Sequence, residues 1–472
     1  MYRKIVGRNP EKETLNSALN SHRSELIAVY GRRRIGKTYL IREFFQERII
    51  FSFTGLNGEN RPEQIENFML KLSEVTSRFA KEDLPENWLQ AFSKLKEHLK
   101  SIRKSRKKKV IFIDEFPWAD SQRSGFLSAF ENFWNDYCTT RDDLVVVVCG
   151  SAASYMVKKI IRNKGGLHNR ITRKIKLKPF NLYETQSFLK YKGIPLPPVE
   201  LLKIYMTFGG VAEYLEHIAP GDSAVTAIDR LCFQPNAQFE NEYDDIFISL
   251  FDENSYHEKI ISALANGPKK GLSRDELLEA LGIASGGSFT KSLNELMLSG
   301  FVLKYDAYAS NRKTKLFRIY DEFCSFHLQF MTTFKGSKWS QVFQKPAYTS
   351  WCGYAFETIC LKHVETIKKA LKCDQIESNN YSWNNDKAQI DLVIDRNDGV
   401  VNLCELKFYN DTFEVTSDYA AKLRNKEAQF RSATGTKKGL YTTMITTWGI
   451  KGKHSIGLVT SDITAEVLFQ ED

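Results

Sequence analysis

The residues of this sequence with the clearest chemistry lie at Gly31–Thr38, which reads Gly-Arg-Arg-Arg-Ile-Gly-Lys-Thr. Two glycines, a lysine and a hydroxyl at this spacing form a P-loop, whose backbone N–H groups surround the phosphates of a nucleotide. Lys37 can reach the terminal phosphates, and the Thr38 hydroxyl can bind Mg²⁺. The sequence therefore predicts binding of ATP or GTP. The residues predicted to bind the nucleotide here are Gly31, Arg34, Gly36, Lys37 and Thr38.

Two acids at the end of a second apolar run complete the outline of a nucleotide site. The run Lys109–Asp114 is followed directly by Glu115. The first acid after such a strand can hold Mg²⁺ through water, and the second can polarise the attacking water as a general base. We therefore predict Asp114 as a magnesium-binding residue and Glu115 as the catalytic base.

Three further side chains are candidates for the same site. Ser151 follows a third apolar run and could contact the γ-phosphate, although glycine and serine after a strand are also ordinary turn residues. Arg170 and Arg173 could each supply a cation to the transition state, or could instead pair with a neighbouring acid. We predict Arg170 as the catalytic arginine and keep Arg173 as the alternative.

Apolar runs alternate with helical stretches through the first 180 residues. This alternation predicts an α/β fold with a mostly parallel sheet covered on both faces, and a nucleotide then binds at the carboxyl ends of the strands. Asn181 and Glu184 form a capping-box pattern that begins a helical stretch reaching about residue 240, where a lid is expected. Gly209-Gly210 inside that stretch is either a hinge or a simple turn between helices. The predicted strands lie at 25–30, 48–53, 110–114, 144–149 and 173–178.

Taken together, these motifs resemble the archaeal-type AAA+ ATPases, a family also found in bacteria. The resemblance covers roughly residues 1 to 240 and implies ATP rather than GTP, an α-helical lid, and an adenine pocket at Val6, Gly7 and Arg8. It also implies a homo-oligomer, because the finger arginine of AAA+ proteins commonly acts on the nucleotide of a neighbouring subunit. The motifs are Ile5–Arg8 with Glu11, Gly31–Thr38, Phe112–Trp118, Gly150-Ser151, Arg170–Arg173, Leu177–Phe180 and Gly209–Val211.

The segment from Tyr256 to Tyr320 has the pattern of three helices followed by a hairpin, as in a winged helix. Ser273 and Glu276 form a second capping box, and a third helix is predicted over 288–298. In a DNA-binding winged helix, Thr290, Lys291 and Asn294 would enter a groove, while Arg312 and Lys313 would contact phosphates. Winged helices also pack against their own partner domains, so the pattern leaves DNA binding and a structural role open.

A second set of chemically active side chains lies on two predicted strands, Gln389–Asp395 and Val400–Lys407, joined by a tight turn. A three-residue turn with Gly399 in the left-handed conformation places Asp391 opposite Glu405. The period of two puts Lys407 on the same face. Two acids and an amine suit Mg²⁺ held by oxygen ligands, with the lysine orienting a hydrolytic water. A solvent-exposed sheet face with a cross-strand salt bridge is the alternative.

Glu357, in a helical stretch upstream, could deliver a third carboxylate to this face. Glu357, Asp391 and the Glu405-Leu-Lys407 triplet resemble the PD-(D/E)xK nuclease core over roughly residues 335 to 472. The resemblance implies Glu357, Asp391 and Glu405 as metal ligands and Lys407 as a catalytic residue. Gln389-Ile stands where the motif has proline before the first acid, and some members of the superfamily bind without cutting.

Composition limits the classes of function. A formal charge of +10 makes a polyanion such as DNA a plausible partner. The eight cysteines form no C-x-x-C pair, which favours reduced, buried thiols over structural zinc or disulfides. The N-terminal residues carry no signal-peptide pattern, and no apolar run of about 18 residues occurs, so we expect a cytoplasmic protein without a membrane partner.

The sequence thus predicts a P-loop parallel sheet with an α-helical lid, followed by a winged-helix domain and a small α/β nuclease-like domain. The expected activity is an ATP-driven switch or motor that acts on DNA and is coupled to a metal-dependent nuclease-like domain. The alternative is an ATP-switched DNA- or protein-binding regulator with an inactive nuclease-like domain. The predicted domains are 1–180 (ATPase core), 181–250 (lid), 251–334 (winged helix) and 335–472 (nuclease-like).

Overall fold

The structure is a computed structural model that describes residues 4–76, 84–251, 256–268, 270–308 and 315–471. The chain divides into two compact units, Met1–Pro179 and Phe180–Asp472. Within the described ranges, no helix is both long and apolar enough to cross a membrane. The eight cysteine side chains are buried, as their apolar surroundings in the sequence predict.

The first unit contains a parallel five-stranded sheet of strand order β2-β3-β4-β1-β5. This confirms the predicted parallel α/β fold. Its strands are β1 (Glu25–Tyr30), β2 (Ile49–Thr54), β3 (Lys109–Asp114), β4 (Leu144–Gly150) and β5 (Arg173–Lys176). Its helices are α1 (Asn9–Leu19), α2 (Lys37–Phe45), α3 (Arg61–Thr76), α4 (Trp88–Ser101), α5 (Phe116–Ala119), α6 (Phe126–Asp136) and α7 (Ala153–Tyr155), with short 3₁₀ turns at Gln46–Arg48 and Cys138–Thr140 and a π-helical turn at Met156–Ile161.

Helices cover both faces of this sheet. Leu26 and Ala28 of β1 belong to a core with side chains of α3, α4 and α6, whereas Ile27 and Val29 belong to a core with side chains of α1 and α2. Because both faces are covered, every residue of β4 is buried. The two cores hold the strands rigidly and fix the positions of the loops at their carboxyl ends.

The second unit begins with helices at the position predicted for a lid. The Asn181–Glu184 capping box is present, with the Glu184 N–H donating to Asn181 Oδ1 at 2.8 Å. The Gly209-Gly210 pair separates two helices, and a Cβ on Gly210 would lie 1.8 Å from the Phe180 carbonyl oxygen. This packing favours the turn over the hinge. The helices are α8 (Leu182–Tyr191), α9 (Pro198–Phe208), α10 (Ala212–Glu216), α11 (Ala224–Ile228) and α12 (Glu242–Leu250), with a π-helical turn at Asp229–Phe233.

The next segment contains three helices and a small antiparallel sheet of strand order β6-β8-β7. The Ser273–Glu276 capping box is present, with the Glu276 N–H donating to Ser273 Oγ at 3.2 Å. The predicted DNA-contacting residues Arg312 and Lys313 lie outside the described residues. The elements are α13 (His257–Asn266), β6 (Leu272–Ser273), α14 (Arg274–Leu281), α15 (Gly287–Ser299), β7 (Val302–Asp306) and β8 (Lys315–Ile319).

The C-terminal part of the second unit is built on a five-stranded sheet of order β15-β13-β11-β10-β9. Strands β9, β10 and β11 are antiparallel, whereas β11, β13 and β15 are parallel. The strands are β9 (Ser378–Asn384), β10 (Gln389–Arg396), β11 (Val400–Lys407), β12 (Phe413–Glu414), β13 (Gly439–Thr446), β14 (Ile450–Lys451) and β15 (Ser461–Thr464). The helices are α16 (Glu322–Phe326), α17 (Trp339–Val342), α18 (Pro346–Lys362), α19 (Val364–Ala370) and α20 (Ser417–Thr434), with a π-helical turn at His327–Met331 and 3₁₀ turns at Lys453–Ser455 and Ala465–Phe469.

Candidate functional sites

The P-loop connects β1 to the N-terminus of α2. Gly36 precedes the helix with φ 87°, a left-handed conformation that glycine adopts without strain. The buried Lys37 ammonium donates to the carbonyl oxygens of Gly31 at 3.2 Å and Arg32 at 2.8 Å. A lysine held across its own loop is positioned to meet phosphates that enter the loop. Arg34 is half-buried in the same loop, with φ 70°.

The predicted magnesium-binding residues lie next to each other. The Thr38 hydroxyl donates to Asp114 Oδ2 at 2.8 Å, although 76 residues separate them in sequence. They meet because α2 begins beside the carboxyl end of β3 in the parallel sheet. A hydroxyl and a buried carboxylate are oxygen ligands of the kind that Mg²⁺ prefers, so the pair fits this ion.

The predicted base and the predicted phosphate-contacting serine are hydrogen-bonded to each other. Glu115 Oε2 accepts from the Ser151 hydroxyl at 2.8 Å and from the Ser151 N–H at 3.1 Å. Glu115 itself has φ 41°, which is uncommon for a residue other than glycine. The neighbouring β3 and β4 therefore bring Glu115 and Ser151 to the same edge of the sheet as Asp114.

The segment before α1 lies against the P-loop. The buried Arg8 guanidinium donates to the Lys178 carbonyl oxygen at 2.7 Å and to the Ile35 carbonyl oxygen at 3.3 Å. Val6 and Gly7 are half-buried beside it. Arg8 thus fixes this segment to the loop through backbone carbonyls. The adenine contacts of Val6, Gly7 and Arg8 stay a prediction.

The two candidate arginines have different environments. Arg170 is exposed in the segment that follows α7 and the π-helical turn. Arg173 begins β5, and its guanidinium lies 3.6 Å from Oε1 of the fully buried Glu25. Arg173 is therefore an arginine that pairs with a neighbouring acid, which was the alternative role predicted for these arginines. Arg170 keeps the role of candidate finger.

Comparison with known proteins agrees with this geometry. Residues 5–218 match the sequence model of a family described as an ATPase domain predominantly from Archaea. Residues 5–218 are an ATPase domain of this type. The P-loop, Asp114 and Glu115 therefore lie within an ATPase domain.

Two relatives and one solved structure extend the comparison. An uncharacterized protein of Methanocaldococcus jannaschii, MJECL04, is 27% identical over 377 residues, which cover 78% of this chain and 79% of the relative. An uncharacterized ATP-binding protein of the same organism, MJ0423, is 44% identical over 46 residues, 10% of this chain and 78% of the relative. The Walker-type ATPase paby2304 of Pyrococcus abyssi has a TM-score of 0.51 at 16% identity, over 69% of this chain and 96% of its own. The last similarity is one of fold.

A second candidate site lies outside the ATPase domain, on the β10–β11 hairpin. Leu392 pairs with Cys404, and the same antiparallel register, extended by one residue, places Asp391 opposite Glu405. Gly399 in the turn has φ 85°. Both features confirm the predicted register. The Lys407 ammonium lies 2.8 Å from Glu405 Oε1, so the predicted amine reaches the acids. We call Asp391, Glu405 and Lys407 the acid–lysine site.

Glu405 is the central residue of the acid–lysine site. Its buried carboxylate accepts from the Tyr419 hydroxyl at 2.7 Å and contacts the ammonium groups of Lys407 and Lys426. Burial acts to raise the pKa of Glu405, but the two lysines outweigh it and lower that pKa below its ordinary value. Burial also opposes the charge of Lys407, but Glu405 and Asp391 raise its pKa.

The pKa of Asp391 is shifted in the opposite direction. Burial and then repulsion from Glu405 raise the pKa of Asp391, although Lys407 and Lys426 offset part of the effect. Its Oδ2 accepts from the Leu406 N–H at 3.2 Å and its Oδ1 from Gln389 Nε2 at 3.3 Å. The two acids on this face therefore differ, because the pKa of Glu405 is lowered whereas the pKa of Asp391 is raised.

The third predicted metal ligand, Glu357, lies on α18 with its Oε2 at 4.0 Å from the buried Arg318 guanidinium of β8. Across the described ranges, no three acidic, histidine or cysteine side chains are grouped so that they could hold a metal. Glu357 nevertheless lies close enough to Lys407 to help Glu405 and Asp391 raise the pKa of that lysine, so the set of Glu357, Asp391 and Glu405 as metal ligands stays a prediction. Glu405 is drawn to two lysines and a tyrosine, and Glu357 is drawn toward Arg318.

Tyr419 and Lys426 are two residues of this region that were not predicted. Both lie on α20 and contact the two oxygens of Glu405. They are seven residues apart, so helical periodicity puts them on one face of α20. That spacing was visible in the sequence, but nothing in the sequence showed that this face of α20 covers β11.

Proposed function

We propose that this chain is an ATP-hydrolysing switch that acts on DNA. The observation that carries the proposal is the position of Glu115, one residue after the Asp114 carboxylate that contacts Thr38 and within hydrogen-bonding distance of Ser151. This places a base beside the magnesium-binding pair in a domain that already holds the P-loop. The arrangement supports ATP hydrolysis with named roles for each side chain.

In this proposal, Lys37 contacts the terminal phosphates, Thr38 and Asp114 hold Mg²⁺, and Glu115 accepts the proton of the attacking water. Mg²⁺ supplies neutralisation of the charge on the phosphate oxygens. The Ser151 N–H and hydroxyl both donate to Oε2 of Glu115, which orients the carboxylate. A Ser151 hydroxyl that donates to the γ-phosphate instead leaves Oε2 with the N–H bond and with a lone pair that can accept from water.

The switch acts as a homo-oligomer in this account. Arg170 is exposed on the surface of its own ATPase domain, as a residue that reaches a neighbouring subunit must be. An arginine supplied from a neighbour stabilises the charge that develops on the transferred phosphate. Hydrolysis then depends on assembly, and assembly couples the ATP state of one subunit to the position of the next.

DNA as the substrate is supported by charge and by exposed polar side chains. The chain has a net charge of +10. Thr290, Lys291 and Asn294 are exposed along α15, the helix that would read DNA if residues 251–334 act as a winged helix. Lys407 of the acid–lysine site and the neighbouring Lys426 carry ammonium groups, which suit a phosphate backbone.

Two functions are candidates for the acid–lysine site. The first is metal-dependent cleavage of DNA, supported by the meeting of Asp391, Glu405 and Lys407 on one face. The second is binding without cleavage, and it is favoured by a specific observation: both oxygens of Glu405 are engaged by lysines and a tyrosine. Because these groups do not fit a metal as they stand, we assign no step of cleavage to them.

The two candidates are separated by incubating the protein with ATP, Mg²⁺ and plasmid, single-stranded DNA or RNA, and examining the recovered nucleic acid. Cleavage that disappears in the Glu405→Ala and Lys407→Ala variants supports the first. Retention of DNA without cuts, by wild type and by a Lys426→Met variant that frees Glu405 Oε2, supports the second. Asp395→Ala, on the same strand but paired with Lys438, is the matched control.

A further inference from the structure

Two exposed aromatic side chains lie just beyond the acid–lysine site. Tyr409 is 52% exposed and Trp448 is 45% exposed. The parallel ladder between β11 and β13 ends with the pair Lys407 and Thr446, and each aromatic residue comes two positions after its member of that pair. The Tyr409 N–H donates to Thr447 Oγ1 at 3.0 Å, which holds the two segments together after the strands end.

The aromatic pair is held by ordered backbone. The Phe413 N–H donates to the Gly449 carbonyl oxygen at 2.9 Å, and β12 pairs with β14 in parallel. Gly449, next to Trp448, has φ 84°, which suits glycine. The two segments that carry Tyr409 and Trp448 are therefore tied to each other by hydrogen bonds on both sides of the aromatic residues.

Ring contacts connect Tyr409 to the acid–lysine site. The Tyr409 ring meets the Phe413 ring edge-on at 5.7 Å between centroids, and Phe413 meets Tyr419 at 4.8 Å. The Tyr419 hydroxyl then donates to Glu405. A continuous row of aromatic rings thus runs from the surface to the buried carboxylate.

The chemistry of this surface fits unpaired bases. Exposed large aromatic side chains keep apolar surface in contact with water, and nucleic-acid bases stack on such rings whatever their sequence. In a duplex the base faces are already stacked, so only a single strand offers them. Lys407 and the exposed Lys451 lie at the end of β11 and in β14, where they can meet the backbone phosphates. Asp411 is the acidic neighbour, with its Oδ2 at 3.9 Å from the Lys451 ammonium.

We propose that Tyr409 and Trp448 form a base-stacking platform that holds single-stranded nucleic acid beside the acid–lysine site. The proposal rests on the proposed action of this protein on nucleic acid and specifies the form of the substrate. The lysines bind the backbone of the strand, and the aromatic rings bind its bases. The strand is thereby positioned over Lys407, whether the acid–lysine site cleaves it or only holds it.

The test uses the full-length protein and the double variant Tyr409→Ala/Trp448→Ala. Binding of fluorescein-labelled oligothymidine and oligouridine of about 15 nucleotides is measured by anisotropy, alongside an abasic oligonucleotide with the same number of phosphates. Stacking on one ring changes affinity by about 5- to 150-fold per base, so we expect at least about tenfold weaker binding of both base-containing strands and unchanged binding of the abasic strand. The Tyr409→Phe/Trp448→Phe variant should bind nearly as wild type.

Tyr441→Ala is the matched control, because Tyr441 is also exposed on β13 but lies five residues before Thr446, about 16 Å along the strand. Equal binding by wild type and double variant overturns the platform and leaves the proposed function standing. A wild-type protein that binds no nucleic acid overturns both. Unchanged oligonucleotide binding with an altered oligomeric state identifies the surface as a protein contact and overturns the platform.

Discussion

At the scale of single residues, Asp391 carries a charge that the folded protein does not stabilise. An acid whose pKa is raised on folding holds its proton more tightly in the folded state than in the unfolded chain. Its ionisation therefore lowers stability once the pH exceeds its ordinary pKa of 3.8, and the loss is complete above its raised pKa. The opposite holds for Glu405, whose pKa is lowered on folding. Its ionised carboxylate stabilises the fold at neutral pH, and this contribution is lost as the pH falls through the lowered pKa.

We therefore predict that Asp391→Asn raises the stability of the C-terminal unit at pH 7, on the order of 1 kcal/mol, as removal of a charge from a functional site commonly does. The gain should shrink as the pH is lowered from 7 toward 3.8, the ordinary pKa of an aspartate. Thermal unfolding followed by circular dichroism across that range measures it. Asp395→Asn, which loses the 2.6 Å ion pair with Lys438, should bring no such gain. A loss of stability in Asp391→Asn that is the same at every pH contradicts the account.

At the scale of elements, the P-loop depends on a close approach between two strand ends. The Leu177 N–H after β5 donates to the Tyr30 carbonyl oxygen at the end of β1. A Cβ on Gly31 would lie 2.2 Å from the Leu177 carbonyl oxygen. Backbone at this position cannot move aside as a flexible side chain would, so the loop must shift instead.

Gly31→Ala should accordingly weaken ATP binding by about 5- to 150-fold, because overpacking commonly costs about 1–3 kcal/mol. Titration with a fluorescent ATP analogue measures the affinity. Gly287→Ala is the control, since Gly287 is exposed, has no atom within 4 Å of an added Cβ and does not have a left-handed φ. Tight ATP binding by Gly31→Ala would show that the loop is not held by Leu177.

Most elements could be predicted because each has a local signature. The five strands of the ATPase sheet, both capping boxes and the β10–β11 register follow from apolar periodicity, side-chain capping and turn length. The order of the strands could not be predicted, since it depends on which helices cover which face. The side-chain partners of the predicted metal ligands could not be predicted for a related reason. Lys426 reaches Glu405 from α20, and Arg318 approaches Glu357 from β8, and both contacts join elements distant in sequence.

At the scale of the whole molecule, the account requires subunits that complete each other's ATPase sites. Arg170→Ala should reduce ATP turnover by roughly 10³-fold if it acts as a finger. Lys37→Ala should also be inactive, because it cannot bind the phosphates. A mixture of the two variants should regain turnover, since an intact Arg170 from one then faces an intact P-loop of the other.

The experiment measures steady-state phosphate release from the mixture and follows assembly by light scattering. Lys164→Ala removes an exposed cation of the same loop and should keep its turnover. A mixture as inactive as its components, in a confirmed oligomer, excludes action of Arg170 on a neighbour.

An ATP-driven switch that acts on DNA must couple ATP hydrolysis to nucleic acid. The most direct test of this coupling is ATP turnover by the full-length chain with no nucleic acid, with single-stranded DNA and with duplex DNA. Glu115→Gln, which keeps the P-loop but loses the base, should show turnover at least about 10²-fold below wild type in all three conditions. The account predicts that DNA stimulates turnover by the wild-type protein. Turnover that is the same with and without DNA, at concentrations where DNA is bound, would contradict it.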